Sequence, residues 1–235
     1  MKSIVVVPTY NERENLPKLV DLVLRHDVSL LIVDDGSPDG TGQVADEIAR
    51  RHPGRVDVLH RTGQRGLGRS YVDGMKHALA MGADVVCQMD ADLSHGPEYL
   101  PELIAATREY DLVIGSRYVN GISVVNWPLR RLILSTAGNA YVRVLTRLPV
   151  RDCTAGYRAW RRATLERVPL DRVASEGYSF QVEMLYHAVR AGCSVVEVPI
   201  IFVERRRGHS KLSKRVLFES LIFPWRLMWR RLSPK

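Results

Sequence analysis

The sequence predicts an α/β fold in which a mainly parallel β-sheet lies between two layers of helices. Short apolar segments alternate with longer amphipathic segments through the first half of the chain, as in strand–helix repeats. The strand segments are apolar at nearly every position, which indicates that both faces of the sheet are covered. Ligands of such sheets bind beyond the carboxyl ends of the strands, so the residues that follow each strand are the functional candidates.

The elements follow a regular order up to residue 117, and the order then changes. We predict strands at 3–7, 28–33, 56–60, 84–89 and 111–115, and helices at 12–26, 40–51, 68–81 and 97–109. Beyond them we predict a long helix at 128–147, a loop at 150–158, a helix near 179–191, a β-rich segment at 194–203 and a basic helix at 212–231. No repeat or linker interrupts the chain, so we expect one domain, 1–235, in which 1–117 bind a nucleotide and 118–235 select the acceptor.

The composition is that of a folded globular protein, with 46% hydrophobic and 26% charged residues. The net charge is +8, and because residues 1–115 carry more acids than bases, the positive excess lies in the second half. A basic half of this kind is expected to meet a polyanion, which is nucleic acid, anionic lipid or a substrate phosphate. For any single basic cluster, a solvated surface is the alternative.

The cysteines and the apolar segments restrict where the protein works. Cys87, Cys153 and Cys193 lie far apart, which favours a reducing compartment over a disulfide framework or a zinc site. The first residues lead directly into a strand, so we expect no signal peptide. No segment approaches the roughly 20 apolar residues that a membrane-spanning helix needs.

An aromatic ring and a carboxylate follow the first strand, in the segment PTYNE. The glycine-rich motif of a dinucleotide-binding fold is absent from this position. Tyr10 can stack on a nucleobase, and Glu12 can accept hydrogen bonds from it. The alternative is a helix start in which Asn11 is the N-cap and Glu14 completes a capping box.

Two adjacent carboxylates, Asp34 and Asp35, follow the second strand in the segment VDDGSPDGT. An acidic residue at this strand end is well placed to bind a ribose or a base. The later Asp39 and Gly40 would form a turn whatever the function. Because turn chemistry does not account for both leading carboxylates, we expect one of them to bind ligand.

A pair of carboxylates, Asp90 and Asp92, follows the fourth strand in the segment QMDAD. Residues two apart in an extended chain face the same way, so both can enter one pocket. Two hard oxygen ligands suit Mg²⁺ or Mn²⁺ that bridges a diphosphate. The alternative is an ordinary acidic surface loop, but the position at the end of a buried strand favours the metal.

Arg117 follows the fifth strand in the segment IGSRY. Its guanidinium group can clamp a phosphate through two parallel hydrogen bonds. A structural ion pair with a nearby carboxylate is an equally good interpretation of this residue.

The predicted helix 128–147 has one narrow polar stripe. Arg131, Ser135, Asn139 and Arg143 recur every four residues, and nearly all other positions are apolar. Such a helix is either mostly buried or presses on lipid, and Arg131 and Ser135 offer adjacent donors to an anion. The alternative is a core helix with a thin solvated edge.

The last part of the chain combines cations with large apolar residues. The loop Arg205–Lys211 holds up to five cations in seven positions, enough to neutralise phosphates. The helix that follows mixes Lys and Arg with Trp and Leu, which is typical of a helix lying in a membrane interface. Packing of that helix on the sheet is the alternative.

Nearly the whole chain resembles a known family, because five motifs occur in the same order. They are PTYNERENL, VDDGSPDGT, MDADLSHGPE, IGSRY and RRRGHSKL. It resembles the polyprenol (dolichol) phosphate mannose synthases, which are inverting glycosyltransferases of family 2 with a GT-A fold. It is most similar to the members that lack trailing transmembrane helices. The resemblance implies a three-layer αβα sandwich with a mainly parallel mixed sheet and C-terminal amphipathic helices.

The resemblance also implies a role for each candidate residue. It assigns the guanosine end of GDP-mannose to Pro8, Tyr10, Glu12, Val33 and Asp35. It assigns Mg²⁺ or Mn²⁺ and the diphosphate to Asp90, Ala91 and Asp92, with Asp92 the principal metal ligand. Ser94 stands where some members place a glutamine ligand. It assigns the phosphate of the acceptor to Arg117, Arg131 and Ser135, and the donor diphosphate to Arg205 and Lys211. Asp92 and Arg117 are the implied catalytic residues.

The implied reaction transfers mannose from GDP-mannose to a polyprenyl phosphate with inversion, at the cytoplasmic face of a membrane. A separate membrane-anchoring protein is an optional partner, and no nucleic acid is expected. An acceptor phosphate is already an anion near neutral pH, so no general base is needed. Three alternatives stay open. They are another donor such as UDP-glucose, a hydroxyl acceptor with Glu176 or Glu183 as base, and a basic nucleic-acid-binding protein, which the acidic strand ends disfavour.

Overall fold

A computed structural model describes residues 1–203 and 222–229 and has the α/β architecture that the sequence predicts. Its strands are β1 (Ser3–Thr9), β2 (Ser29–Asp34), β3 (Val56–His60), β4 (Val85–Gln88), β5 (Leu112–Ser116), β6 (Val124–Val125), β7 (Arg158–Arg161), β8 (Val195–Pro199) and β9 (Phe202–Val203). Its helices are α1 (Leu16–Val23), α2 (Thr41–Arg51), α3 (Leu67–Ala80), α4 (Leu100–Ala106), α5 (Leu129–Thr146), α6 (Arg162–Arg167) and α7 (Gly177–Arg190).

Seven of the strands form one mixed sheet in the order β3-β2-β1-β4-β7-β5-β8. The pairs β1–β2, β1–β4, β2–β3 and β5–β8 are parallel, and only β7 runs antiparallel to its neighbours β4 and β5. The strands β1, β2, β4 and β5 therefore point the same way. Their carboxyl ends meet at one edge of the sheet, where the candidate motifs follow them.

The core lies on both faces of the sheet, as the wholly apolar strands require. Ile4 and Val6 of β1 pack with side chains of α3 and α7, whereas Val5 and Val7 pack with α1, α2 and α4. All four are fully buried, and each contributes about 1.5–3 kcal/mol by leaving water. The result is the three-layer sandwich of the GT-A fold.

The strand β7 and the helix α6 were not predicted, and the predicted loop 150–158 ends in β7. The strand has an arginine at each end, so its sequence lacks the apolar pattern from which a buried strand is predicted. Arg158 is nevertheless fully buried. Its guanidinium donates to the backbone carbonyls of Ala155, Gln181 and Cys153 at 2.8–3.0 Å. Burial lowers the pKa of Arg158 to about 10. The charge of Arg158 led to the prediction of a loop here. Backbone carbonyls accept the hydrogen bonds described above, so the cation can be buried in a strand.

Helix α1 begins four residues later than predicted, so the capping-box interpretation is wrong. Asn11 has a positive φ of 61° and lies outside the helix, and the N-cap is Asn15. The side chain of Asn15 donates to Glu12 Oε2 at 2.8 Å. The segment between β1 and α1 is therefore a turn, which leaves Tyr10 and Glu12 outside regular structure.

Helix α5 turns Ser135 and Asn139 of its polar stripe inward and several of its apolar residues outward, so the interpretation as a core helix with a solvated edge is wrong. Arg143, the last residue of the stripe, is exposed. Leu129, Ile133 and Val144 are 69%, 57% and 78% exposed. Ser135 accepts a hydrogen bond from the Tyr118 hydroxyl at 2.8 Å, and Asn139 is buried. These two residues face inward because their hydrogen-bond partners Tyr118 and Thr154 lie on the body of the protein.

Residues 222–229 are helical, and the rest of the predicted helix 212–231 lies outside the described residues, as do Arg205 and Lys211. Leu227 packs in the core, whereas Trp225 and Trp229 are 51% and 73% exposed. Within residues 1–203 and 222–229, no helix combines the length and the apolar character needed to span a bilayer.

Candidate active site

One cavity of about 740 Å³ lies at the carboxyl edge of the sheet and collects most of the candidate residues. It is lined by Pro8, Tyr10, Glu12, Asp35, Asp90, Ala91, Asp92, Arg117 and Arg131. Val33 does not line it, because its side chain points into the core beneath α3 and is fully buried. Four strand ends thus contribute to one site.

The two adjacent carboxylates after β2 have different surroundings. Asp34 accepts hydrogen bonds from the hydroxyl and backbone N–H of Ser37 at 2.6 and 3.3 Å, so it shapes the turn. Asp35 lines the cavity, accepts from the Gly66 backbone N–H at 2.8 Å, and is also paired with Arg61. Of the two, Asp35 is therefore the one that lines the cavity, and its binding of a ligand stays a prediction.

Tyr10 is held against a loop that the sequence analysis did not single out. Arg65 Nη1 donates to the Tyr10 hydroxyl at 2.8 Å, and its guanidinium carbon lies 5.0 Å from the ring centroid. Arg65, Gly66 and Leu67 all line the cavity. The glycine-rich, basic segment RTGQRGLG after β3 was the signal that could have found this loop.

Asp90 is positioned by a buried tyrosine. The Tyr71 hydroxyl donates to Asp90 Oδ1 at 2.7 Å, and the Tyr71 ring stacks on Phe180 with centroids 5.7 Å apart. Burial raises the pKa of Tyr71 well above its usual value, and the charge of Asp90 adds to this rise. Tyr71 therefore stays a neutral donor that fixes the orientation of the carboxylate.

Asp92 is held by the turn that follows it. Its Oδ1 accepts from the Ser94 hydroxyl at 2.6 Å and from the Ser94 backbone N–H at 3.1 Å. Leu93 between them has a φ of 62°, an uncommon conformation for a branched residue. Backbone strain of this kind clusters at functional sites. Ser94 thus lines the cavity and orients Asp92 by direct hydrogen bonds.

Arg117 both lines the cavity and makes the structural ion pair that was its alternative interpretation. Its Nε and Nη2 donate to the two oxygens of Asp152 at 2.7 and 2.6 Å, and Nη2 also donates to Thr154. Burial by itself would lower the pKa of Arg117, but the Asp152 charge raises it above its usual value. Arg117 is therefore a fixed cation. The hydrogen bonds of its side chain to the described residues are made by Nε and Nη2, and Nη1 can donate to a ligand.

A second cavity of about 300 Å³ adjoins the first, and its wall is mostly apolar. The two share Arg117, Arg131, Thr154 and Tyr178. Ser135 lies in this second cavity, which we call the apolar groove. Its other lining residues include Trp127, Leu134, Tyr141, Val142, Val182 and Phe223.

The two glutamates considered as bases differ in position. Glu176 lines the main cavity and accepts from the Gly68 backbone N–H at 2.8 Å. Its partial burial raises its pKa above the usual carboxyl value. Glu183 is 1% exposed, does not line the cavity, and accepts from the Ser175 backbone N–H at 3.2 Å. Only Glu176 could reach a substrate.

The donor set fits a divalent cation that is also held by a substrate. Among the described residues no three His, Cys, Asp or Glu side chains converge as a complete metal cage. Asp90 and Asp92 provide carboxylate oxygens at the cavity wall. Mg²⁺ is typically bound by one or two carboxylates together with substrate phosphates, so an incomplete protein set suits a nucleotide-dependent site.

The sequence profile of the family described as "Glycosyl transferase family 2" matches residues 4–168, which is most of the chain. The chain belongs to glycosyl transferase family 2. The match ends one residue after α6, so it contains the strands whose ends form the cavity.

Two relatives in this family are half identical to the chain. The polyprenol monophosphomannose synthase of Mycolicibacterium smegmatis is 50% identical over 223 residues, which are 94% of this chain and 84% of the relative. The undecaprenyl-phosphate mannosyltransferase of Micrococcus luteus is 49% identical over 226 residues, which are 94% of this chain and 92% of the relative.

Solved structures of other transferases share the fold. Glucosyl-3-phosphoglycerate synthase from Mycobacterium tuberculosis, in complex with Mn²⁺, UDP and glucosyl-3-phosphoglycerate, superimposes with a TM-score of 0.71 at 20% identity. That superposition covers all of this chain and 81% of the other. A mannosyltransferase from Pyrobaculum calidifontis, in complex with GDP-Man and Mn²⁺, gives a TM-score of 0.63 at 20% identity, over all of this chain and 65% of the other.

Proposed function

We propose that this family 2 glycosyltransferase moves mannose from GDP-mannose to a polyprenyl phosphate, giving polyprenyl-phosphate β-mannose and GDP. The observation that carries the proposal is the joining of two unlike cavities. A polar cavity with carboxylates opens into an apolar groove, and the cations Arg117 and Arg131 stand where they meet. Two relatives of about half identity, named for mannose transfer to polyprenol phosphates, support this pair of substrates.

The donor lies at the ends of β1 and β2 in this proposal. Tyr10 stacks on the guanine, and Glu12 and Asp35 accept hydrogen bonds from the base and the ribose, while Pro8 shapes the wall. The Asp35 carboxylate is already oriented by Arg61 and Gly66, so little ordering remains on binding. Val33 contributes no side chain, and any contact from it is made by its backbone.

The diphosphate lies beside Asp90, Ala91 and Asp92, which would hold Mg²⁺ or Mn²⁺ together with it. When bound, the cation neutralises charge that develops on the leaving diphosphate. Arg205 and Lys211 are proposed to add positive charge to the same phosphates. Both lie outside the described residues.

The acceptor phosphate lies between Arg117, Arg131 and Ser135, and its prenyl chain enters the apolar groove. A phosphate oxygen attacks the anomeric carbon while the bond from that carbon to the GDP oxygen breaks. GDP leaves with the bonding electron pair, and in-line attack turns the α-linked donor into a β-linked product. The phosphate is anionic, so no side chain has to remove a proton. The two arginines offset the repulsion between the two anions.

The outer side of α5 is proposed to rest on the membrane that carries the acceptor. Residues 222–229 contact this helix, because Trp225 Nε1 donates to the Tyr141 hydroxyl at 2.9 Å. Trp225 and Trp229 are exposed, as are Arg130 and Arg226. Apolar and aromatic residues bordered by cations are typical of interfacial helices. We propose that the protein binds the cytoplasmic face peripherally, with or without a separate anchoring protein. Residues 1–117 would then form the donor half of one domain, and residues 118–235 the acceptor and membrane half.

The direct test is incubation of the protein with labelled GDP-mannose, Mg²⁺ or Mn²⁺, and a polyprenyl phosphate, followed by organic extraction. We expect label in the lipid fraction, dependent on the cation. UDP-glucose in place of GDP-mannose tests the sugar, and free polyprenol in place of its phosphate tests the acceptor. Label transferred to polyprenol, and lost in Glu176→Gln, would instead support a hydroxyl acceptor with Glu176 as base. No transfer to any lipid would overturn the proposal.

A further inference from the structure

Trp127 lies in the short segment between β6 and α5 and lines the apolar groove beside its junction with the polar cavity. The guanidinium carbon of Arg131 lies 4.1 Å from its ring centroid, and that of Arg117 lies 5.5 Å from it. One indole ring therefore contacts both cations that the proposed function assigns to the acceptor phosphate. Arg117 is only 6% exposed and Arg131 is half-buried, so the contact of Arg117 lies inside the protein and that of Arg131 at its edge.

The ring itself is fixed from one more side. Phe202 of β9 meets Trp127 edge to face, with centroids 5.5 Å apart, and lies 5.6 Å from the Arg117 guanidinium carbon. The pairing of β6 with β9 holds the two aromatic segments together. Trp127 is thus supported by the backbone as well as by packing.

Two cations that share a site repel each other unless something between them is attractive to both. A carboxylate would serve, but it would also compete with a bound phosphate for the same donors. An aromatic face attracts a guanidinium group without offering a negative charge that repels the ligand. Arg117 additionally has Asp152, which accepts hydrogen bonds from its Nε and Nη2 and not from Nη1.

The indole N–H supports a role for the ring face. Nε1 of Trp127 is buried and has no hydrogen-bond partner among residues 1–203 and 222–229. A buried donor without a partner is uncommon and destabilising, so hydrogen bonding does not explain the residue. What the side chain offers in this position is a large aromatic surface with two cations against it.

We infer that Trp127 is a positioning residue whose ring sets the places of Arg117 and Arg131, so that both address one phosphate group. The inference rests on the proposed function only for the identity of the phosphate-bearing ligand. It predicts that Trp127 contributes to recognition of the phosphate rather than of the prenyl chain, although the residue also lines the apolar groove.

The test compares a phosphate ligand with its uncharged counterpart. Binding of farnesyl phosphate and of farnesol is measured by isothermal titration calorimetry for wild type, Trp127→Leu and Trp127→Phe. Trp127→Leu is expected to lower the affinity for farnesyl phosphate about ten-fold, which is the size of a desolvated cation–π contact. The affinity for farnesol should be nearly unchanged. Trp127→Phe keeps a ring face and is expected to retain most of the affinity.

A double-mutant cycle tests whether the ring acts through the cation. In an Arg131→Ala background, Trp127→Leu should lower the affinity for farnesyl phosphate much less than it does in wild type, because the cation that contacts the ring is already absent. Circular dichroism and thermal unfolding confirm that each variant is folded. Equal losses for farnesol and farnesyl phosphate, or full additivity in the cycle, would overturn the inference and leave Trp127 as groove wall.

These readouts do not depend on sugar transfer. If wild type binds farnesyl phosphate with the expected Trp127 dependence but transfers no mannose to any prenyl phosphate, the proposed reaction fails and the inference stands. If mannose is transferred and Trp127→Leu leaves phosphate binding unchanged, the inference fails and the proposed reaction stands.

Discussion

Arg117 donates two hydrogen bonds to Asp152, and Asp152 is fully buried beneath it. The Arg117 backbone N–H also donates to Asp152 Oδ2, at 3.1 Å. The carboxylate therefore fixes both the main chain and the side chain of the residue that follows β5. A cation held in this way is ordered before any anion arrives, which lowers the entropic cost of binding one.

Asp152→Asn should destabilise the protein, because it leaves the Arg117 charge buried without its partner. We expect a loss of about 3–5 kcal/mol in the free energy of unfolding at pH 7, measured by urea denaturation. Burial alone would raise the pKa of Asp152, but Arg117 lowers it below the usual carboxyl value. The stabilisation is present above the ordinary carboxyl pKa and is lost as the pH falls through the lowered value. The difference between wild type and variant should shrink in that acidic range, and a constant difference would contradict the ion-pair account.

Arg131→Ala should impair use of the lipid acceptor more than use of GDP-mannose. Loss of one charge-assisted hydrogen bond raises the KM for polyprenyl phosphate about ten- to a hundred-fold. The KM for GDP-mannose should change little, since Arg131 lies at the groove end of the cavity. Arg50→Ala is the matched control, because that exposed arginine lies on α2 and lines neither cavity. Equal effects on both substrates would rule out an acceptor role for Arg131.

Tyr71→Phe should weaken cation binding without unfolding the protein. It removes the hydroxyl that orients Asp90 and keeps the ring that stacks on Phe180. Loss of a hydrogen bond to a metal-binding carboxylate typically lowers metal affinity about ten- to a hundred-fold. We expect a decrease of this size in the affinity for Mn²⁺, measured by titration in the presence of GDP. Tyr99→Phe is the control, since the Tyr99 hydroxyl accepts from the Ile201 backbone N–H instead. Identical Mn²⁺ affinities in wild type and Tyr71→Phe would show that the hydroxyl does not orient a ligand.

The strands and the carboxylates at their ends were predictable from the sequence because they obey local rules. The wholly apolar segments that became β1, β2 and β4 gave the sheet, and the acidic residues that follow them had few structural uses. Asp90 and Asp92 were found from the end of an apolar run. The alternation of an extended chain was the wrong reason for pairing them, because β4 ends at Gln88 and Asp92 lies in the turn that follows.

The features that the sequence did not predict depend on partners distant along the chain. Asp152 pairs with Arg117 across 35 residues, and Arg158 is buried in β7 because three backbone carbonyls surround it. Ser135 and Asn139 of α5 face inward because of residues outside the helix. The Tyr118 hydroxyl donates to Ser135, and Asn139 Nδ2 donates to Thr154. Periodicity identifies a polar face, but it does not say which way that face turns.

Val144→Glu should weaken binding to membranes by placing a charge on the outer side of α5. Burial of one valine side chain is worth about 1.5–3 kcal/mol, so we expect a drop of about ten-fold or more in affinity for anionic phospholipid vesicles. Lys18→Gln on α1 is the control, because it changes the net charge equally on the opposite face of the sheet. Sedimentation with vesicles measures both. Similar losses in the two variants would mean that net charge, and not the α5 face, governs binding.

Transfer of mannose by the Asp92→Ala variant tests the central claim, that carboxylates at the strand ends hold a cation that grips the sugar nucleotide. The assay uses saturating GDP-mannose and a polyprenyl phosphate, with Mn²⁺ or with a chelator, and compares Asp92→Ala with wild type and with Asp46→Asn, a carboxylate on α2. We expect transfer to fall about 10³-fold in Asp92→Ala, since several kcal/mol of charge stabilisation are lost, and to be retained in Asp46→Asn. Full transfer by Asp92→Ala in the presence of chelator would contradict the account.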